Sequence, residues 1–487
     1  MTTDIATRPL APPRQTLLVV CVALAAVVSA VASLNVAIPS IANDTHPSQT
    51  ELSWVIDAYS LVFAALLLPA GALGDRYGRR RALLAGLAIF AAGSVAAMAY
   101  ADAHWLIAMR AVLGIGAALV MPATLSTITS TFPSEMRARA VGTWAGVAGG
   151  SAILGLLTSG IVLQIWSWRA VFALSAVLAL LAIAGTRAVV PESADPDAPR
   201  IDKVGAAITV VGLGVLVYSI IEAPTEGWTS FRTVAGLIAG VVVLAGFVAW
   251  ELHVEQPLLD PRLFLHGGVS AGTLTVAAQF FVFFGFIFIL LQYLQLVAGH
   301  GPLDSAVRMI PLALGMMPTA RGLAPRLAER IGSVRTSAFG LVIAAVTFGL
   351  LSRLGAGTSY WWLAGGLVAL GLGMGLAMTP ATAAITDALP REQQGVGSAL
   401  NDLARELGGA LGIAVLGSIL TSTYRDHLVG LSAPARESLA LARRLGPTVA
   451  DHARQAFVDG LQHALLAGSG LLIVVAVAVV VVGRRSA

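Results

Sequence analysis

Charge is what this chain lacks. Of its 487 residues only 11% are Asp, Glu, Lys or Arg, where a soluble protein of this size carries roughly twice that share. Lysine is all but absent, with Lys203 alone against a background of arginine. Cysteine is absent save for Cys21, which excludes disulfides and cysteine-based metal sites. No Gly-x-x-x-x-Gly-Lys-Ser/Thr loop occurs, so ATP is not the energy source. Neither His-Glu-x-x-His nor Gly-x-Ser-x-Gly occurs, and there is no sizeable polar domain in which an enzyme could sit. No metal site and no cofactor are expected. The small positive net charge of +4 is spread along the chain and gives no footing for nucleic acid.

What fills the sequence is apolar residues in long blocks. Stretches such as LLVVCVALAAVVSAVASLNVAI and LLIVVAVAVVVVG are suited to crossing the hydrocarbon core, a distance of about 20 helical residues. In lipid every backbone polar group must be satisfied within the chain, so the blocks imply helices. The expectation is an all-α polytopic membrane protein with roughly fourteen crossings. They are placed near 16–41, 53–73, 82–101, 105–128, 139–163, 168–190, 204–222, 233–251, 270–298, 305–322, 334–353, 360–386, 396–421 and 464–483. The first block has no small-residue cleavage site after it and is expected to be retained. Arginine gathers on alternate connections, at Arg76, Arg79, Arg80 and Arg81, at Arg137 and Arg139, at Arg321, Arg326, Arg330 and Arg335, and at Arg391. By the positive-inside rule that side is cytoplasmic, and both termini fall on it. A long outer connection, 422–463, has helical spacing and mixed charge suited to short amphipathic helices over the outer mouth.

A repeat lies under this background. LGDRYGRRRALLAGL at 73–87 aligns without gaps on LAERIGSVRTSAFGL at 327–341. Leu73, Asp75, Arg76, Gly78, Arg81 and Gly86 meet Leu327, Glu329, Arg330, Gly332, Arg335 and Gly340. PATLSTITSTFPSE at 122–135 matches PATAAITDALPRE at 380–392 in the same order. The expected organisation is a first bundle of six helices over 1–190, a linker with two inserted spans over 191–260, and a second six-helix bundle over 261–487. Parallel repeats of this kind build a large class of secondary transporters, with the substrate site near midplane between the halves.

GALGDRYGRRR at 71–81 resembles the loop signature of the major facilitator superfamily, and Arg110 in LIAMRAVLGIGAAL resembles its fourth-helix arginine motif. The two-span insert, WVIDAYSLVFAALLLP at 54–69 and NDLARELGGALGIAVLGS at 401–418 resemble the fourteen-span drug:proton antiporter branch, the EmrB/QacA type. The resemblance implies an alternating-access exporter in a bacterial cell (inner) membrane. It would act as a monomer, moving lipophilic or cationic small molecules outward against protons. Two positions depart from the branch pattern. Ala30 stands where an acid is usual five residues before Asn35, and Leu156 stands where a proline is usual in the fifth span. They keep open a rival reading, export of one endogenous metabolite or lipid with weak or no proton coupling.

Four residues are candidates for proton handling: Asp57, Arg110, Asp402 and Glu406. Burial disfavours a charged carboxylate, so a buried Asp57 could take up and release a proton; alternatively it is an interfacial acid welcomed by its helix N-terminus. Arginine inside a span is costly and must find a partner or carbonyls, so Arg110 either tunes a nearby acid or holds backbone. Asp402 and Glu406 share one helix face and Arg405 can pair with Asp402; they form either a proton seat or a solvated mouth. Gly408, Gly409 and Gly412 beside them predict close helix packing. The loop residues Gly71, Gly74, Asp75, Arg76, Gly78, Arg79 and Arg80, with Glu329 and Arg330 in the second copy, are candidates for a gate that pairs in one state and releases in the other; a purely topological role for their arginines is the alternative. Asn35, Gln279, Phe283, Gln292, Tyr293 and Asn401 are candidates for a substrate cavity, since aromatic faces attract cations; phenylalanine facing lipid is the alternative.

Overall fold

The computed structural model describes residues 13–194, 202–355, 357–387 and 394–483. Helices account for nearly all of it, with no strand among the described residues. The first six are α1 (Pro13–Thr45), α2 (Gln49–Tyr77), α3 (Arg79–Ala97), α4 (Ala103–Thr131), α5 (Ser134–Ile165) and α6 (Arg169–Val189). Next come α7 (Lys203–Glu226) and α8 (Phe231–Glu251), then one 3₁₀ turn (Pro261–Leu265) and α9 (Gly267–Gln292), prolonged by a π turn over Tyr293–Val297. The series continues with α10 (Pro302–Val307), α11 (Ile310–Pro318), α12 (Ala324–Ile331), α13 (Ser333–Leu351), α14 (Tyr360–Asp387) and α15 (Gln394–His427). Two short helices, α16 (Ala433–Glu437) and α17 (Leu439–Ala442), lead into α18 (Pro447–Gly483).

Twelve helices among the described residues are long and apolar enough to cross a membrane. The two other expected spans are helical but different in kind. In α5 the apolar part runs over Gly150–Ile165. The tenth is broken into α10, α11, a π turn at Thr319–Leu323 and α12, because Pro302, Pro311, Pro318 and Pro325 interrupt the hydrogen-bond ladder. Boundaries also move at 422–463. There α15 runs on to His427 and α18 starts back at Pro447, so the non-spanning connection is shorter than expected. Polar residues on helical spacing carry both helices past their apolar stretches.

Helices α1–α6 pack mainly on one another, as do α9, α11 and α13–α18, while α10 packs chiefly against α5. The repeat appears in the backbone. Gly78 and Gly332 each end one helix and open the next, at φ 116° and 90°, a region that L side chains rarely adopt. Farther along, a methyl added at Gly86 would lie 2.8 Å from the Gly116 carbonyl oxygen, and one at Gly340 would lie 2.5 Å from that of Gly373. The contacts α3–α4 and α13–α14 are thus built on the same glycine-to-glycine approach. The 122–135 and 380–392 pair falls partly outside the described residues, as do Arg391 and the side chains of Arg137 and Arg139.

Two ends can be told apart, one at His46 and one at Gly78. At the His46 end the two groups of helices are joined. Gln49 Nε2 donates to Gln292 Oε1 (3.2 Å), and Gln295 Nε2 to the Val36 carbonyl (3.0 Å). Arg444, in the connection after α17, donates to the Asn43 carbonyl and contacts His46 Nε2 (2.8 Å). Helix α7 lodges between α2 and α15: Trp54 Nε1 donates to Glu222 Oε1 (3.0 Å), and Ser418 Oγ to the Ile220 carbonyl (2.7 Å).

Candidate functional site

A cavity of about 180 Å³ lies between the two groups of helices, walled by α1, α2, α4 and α5 on one side and by α9, α10, α11, α14 and α15 on the other. Its surface is mostly apolar. Phe63, Phe280, Phe283 and Phe284 contribute rings, and Met121, Met309, Met316, Met374 and Met378 contribute thioethers. Among the polar groups on its wall are Asn35, Tyr59, Arg405 and Glu406.

The charged pair comes from one face of α15. Arg405 Nη1 lies 3.5 Å from Asp402 Oδ1, and its guanidinium rests 4.8 Å above the Phe280 ring. Glu406, one residue on, faces the cavity. Glu406 thus lies on the cavity wall, with Asp402 half-buried beside it against Arg405. Close packing of α9 on α15 holds them there: a methyl at Gly285 would lie 2.6 Å from the Gly412 carbonyl oxygen, and Gly408 and Gly409 abut Ala277 and Phe284.

A buried arginine and a buried acid lie behind Tyr59. Arg110 on α4 is 1% exposed. Its Nε donates to the Val55 carbonyl (2.9 Å) and Nη2 to that of Ile56 (3.5 Å), while the guanidinium rests 4.2 Å from the centre of the Tyr59 ring. Of the two alternatives for Arg110, these contacts show the holding of backbone. Asp57 is fully buried and neither carboxylate oxygen has a hydrogen-bond partner. It stands two turns inside α2, because that helix begins at Gln49, where Ser48 and Glu51 close a reciprocal cap. An interfacial, water-solvated Asp57 is corrected on that ground. Tyr59 lies between Arg110 and the cavity: Arg110 rests on its ring, its hydroxyl donates to the Val27 carbonyl (3.3 Å), and it lines the cavity with Glu406.

Four expected cavity residues do not line the cavity. Gln279 donates to the Met374 carbonyl (3.0 Å), Gln292 meets Gln49 across the seam, and the Tyr293 hydroxyl donates to the Gly355 carbonyl (2.7 Å). Asn401 accepts from Thr382 Oγ1 (3.1 Å). A buried amide or phenol is held by whatever acceptor the neighbouring helix offers, and here the nearest ones lie between helices. Asn35 and Phe283 do line the cavity, as does Leu156. Sequence reasoning missed Tyr59, the five methionines and the Trp54–Glu222 bond. The methionines come from α4, α11, α14 and the turn before α11; Met374 and Met378 share a face of α14 at i,i+4 spacing, a signal that sequence reasoning could have used.

At the Gly78 end the signature loop is tied to its own half. Asp75 Oδ1 accepts from Arg79 Nε (2.7 Å), Arg80 Nη2 donates to the Arg187 carbonyl (2.8 Å), and Arg81 Nε lies 3.5 Å from Glu192. Gly71 packs against Pro122, Gly74 is buried beside Ala82, and Arg76 is half-buried. Glu329 and Arg330, in the second copy, are exposed and make no pair across the seam among the described residues.

The Major Facilitator Superfamily profile matches residues 18–413. The chain belongs to the major facilitator superfamily. It is thus a multi-span membrane transporter and not an enzyme. It is 33% identical over 463 residues to the methyl viologen resistance protein SmvA of Salmonella typhimurium, covering 91% of this chain and 93% of the relative. It is 34% identical to the multidrug efflux pump LfrA of Mycolicibacterium smegmatis, over 93% and 92% of the two chains. With the tetracenomycin C resistance and export protein of Streptomyces glaucescens it shares 32% identity, over 89% and 80%. Among solved structures, the POT family transporter PepTSo superposes with a TM-score of 0.68 at 15% identity, covering 98% of each chain. That likeness speaks for the fold.

Proposed function

We propose that this superfamily member is a multidrug exporter of the fourteen-span branch, moving amphipathic or cationic small molecules outward in exchange for protons by alternating access. The observation that carries the reading is Glu406 on the wall of an aromatic and methionine-rich cavity bounded by both groups of helices. A carboxylate there can hold either a proton or a cation, and the wall around it is apolar and adaptable enough for varied lipophilic bodies. The resistance and export proteins named above support the substrate class.

In this reading 1–190 and 261–487 are the rocking halves and 191–260 is an insert. The Gly78 end is cytoplasmic, with both termini there, in a bacterial cell (inner) membrane, and the chain works as a monomer. The bonds at the His46 end support a form closed to the outside. Glu406 exchanges its proton for cargo, Arg405 keeps Asp402 compensated, and Tyr59 and Arg110 relate that exchange to Asp57. Asp75 with Arg79, and Glu329 with Arg330 in the second copy, form and release contacts at the Gly78 end as the halves rock.

Proteoliposomes with an imposed pH gradient and ethidium as cargo test the proposal. Wild-type movement should follow the gradient, and Glu406→Gln should bind ethidium but stop responding to it. Movement indifferent to the gradient and intact in Glu406→Gln would overturn proton exchange and leave export of a single metabolite or lipid.

A further inference from the structure

The two copies of the repeated loop spend their arginines differently. In the first copy Arg79, Arg80 and Arg81 are taken up by Asp75, the Arg187 carbonyl and Glu192, and only the half-buried Arg76 makes no such bond among the described residues. In the second, Arg330 and Arg335, with Arg326 just before the copy and Arg321 on the preceding π turn, are all exposed and make no hydrogen bond or ion pair among the described residues. Glu329 is the one acid of α12 and offsets only one of these charges.

The apolar residues between them decide what such a face fits. Leu323 (47% exposed) and Ile331 (38%) lie among the arginines. Arg335 stands in the first turn of α13, itself an apolar span. Basic side chains at the end of a span lie level with lipid phosphates, and exposed leucine and isoleucine beside them sit in the acyl boundary. A soluble acidic protein or a nucleic acid would leave those apolar groups uncovered.

We propose that Arg321, Arg326, Arg330 and Arg335 form a binding surface for anionic phospholipid headgroups, and that this surface belongs to the second copy of the loop alone. Guanidinium groups grip phosphodiester oxygens in pairs, and Leu323 and Ile331 lie along the first acyl carbons. The assignment does not depend on what the protein exports.

Native mass spectrometry of the full chain, offered equimolar phosphatidylglycerol and phosphatidylcholine, tests it. Wild type should retain phosphatidylglycerol several-fold over phosphatidylcholine. The variant R326Q/R330Q/R335Q should bring the two close to parity, whereas R326K/R330K/R335K should keep a reduced preference, since charge survives but the paired guanidinium contacts do not. Arg353→Gln, at the His46 end, should leave it unchanged. Wild type retaining both lipids equally would overturn the proposal in favour of a soluble acidic partner. An undiminished preference in the glutamine variant would overturn it too. So would loss of the preference in excess inorganic phosphate but not in sodium chloride of equal ionic strength, which would mark a site for free phosphate.

Discussion

Arg110 and Asp57 form the least forgiving pair of residues in the first group of helices. Arg110 is buried and held by two carbonyls of α2, while the Asp57 oxygens have no donor of their own. The two make no direct hydrogen bond, but they are buried ionisable groups on facing helices, and leaving either without a neighbouring counter-charge costs on the order of a few kcal/mol. Arg110→Leu should therefore lower the melting temperature in detergent more than Arg110→Leu combined with Asp57→Asn. A coupling of about 1 kcal/mol or more is expected in that double-mutant cycle. Strictly additive losses would show that the two do not act on one another. Trp54 offers a milder test at the same scale. Trp54→Phe keeps the ring but removes the donor to Glu222, and should cost about 1 kcal/mol by the same melt.

The duplicated glycine contacts govern the packing of whole elements. Gly86 and Gly116 bring α3 onto α4, and Gly340 and Gly373 bring α13 onto α14. Alanine at any of these four should force the helices apart, at about 1–3 kcal/mol each. Gly365, in α14 with nothing within 4 Å, should tolerate alanine and gain slightly in helix stability. Thermal unfolding of the five variants checks both statements. Matched glycines and charges survive as readable sequence because each meets a backbone constraint, so the loop repeat at 73–87 and 327–341 was legible before any coordinates. The spans were legible for a similar reason, since lipid admits little but helix. The broken tenth span was less so, because hydropathy averages over prolines that the hydrogen-bond ladder cannot ignore. Within the cavity, Glu406, Phe283 and Asn35 were marked by residue type. Gln279, Gln292 and Tyr293 were misplaced because a polar group inside a bundle is equally well satisfied by a carbonyl of the next helix. Nothing local distinguishes the two settings.

Across the whole molecule, the bonds at the His46 end hold together helices that must part if the cavity is to open there. Cysteines at Gln49 and Gln292, joined by a short bifunctional reagent, should reduce transport by roughly an order of magnitude or more. Reductive cleavage of a disulfide-containing version of the linker should restore it. Cys21→Ser in the same background leaves the engineered thiols as the only ones in the chain. Transport that continues with the link intact would mean that the Gln49–Gln292 seam need not open. The wedge made by α7 bears on the same motion, because it contacts α2 and α15 together.

Five thioethers around one cavity have a chemical cost. Peroxide small enough to enter would turn them into sulfoxides, polar and chiral where the wall had been soft and oily. The sole thiol elsewhere in the chain offers no sacrificial protection. Oxidative stress would thus spoil the place where cargo rests well before it unravelled the helices, and repair would wait on sulfoxide reductases able to reach inside the bilayer.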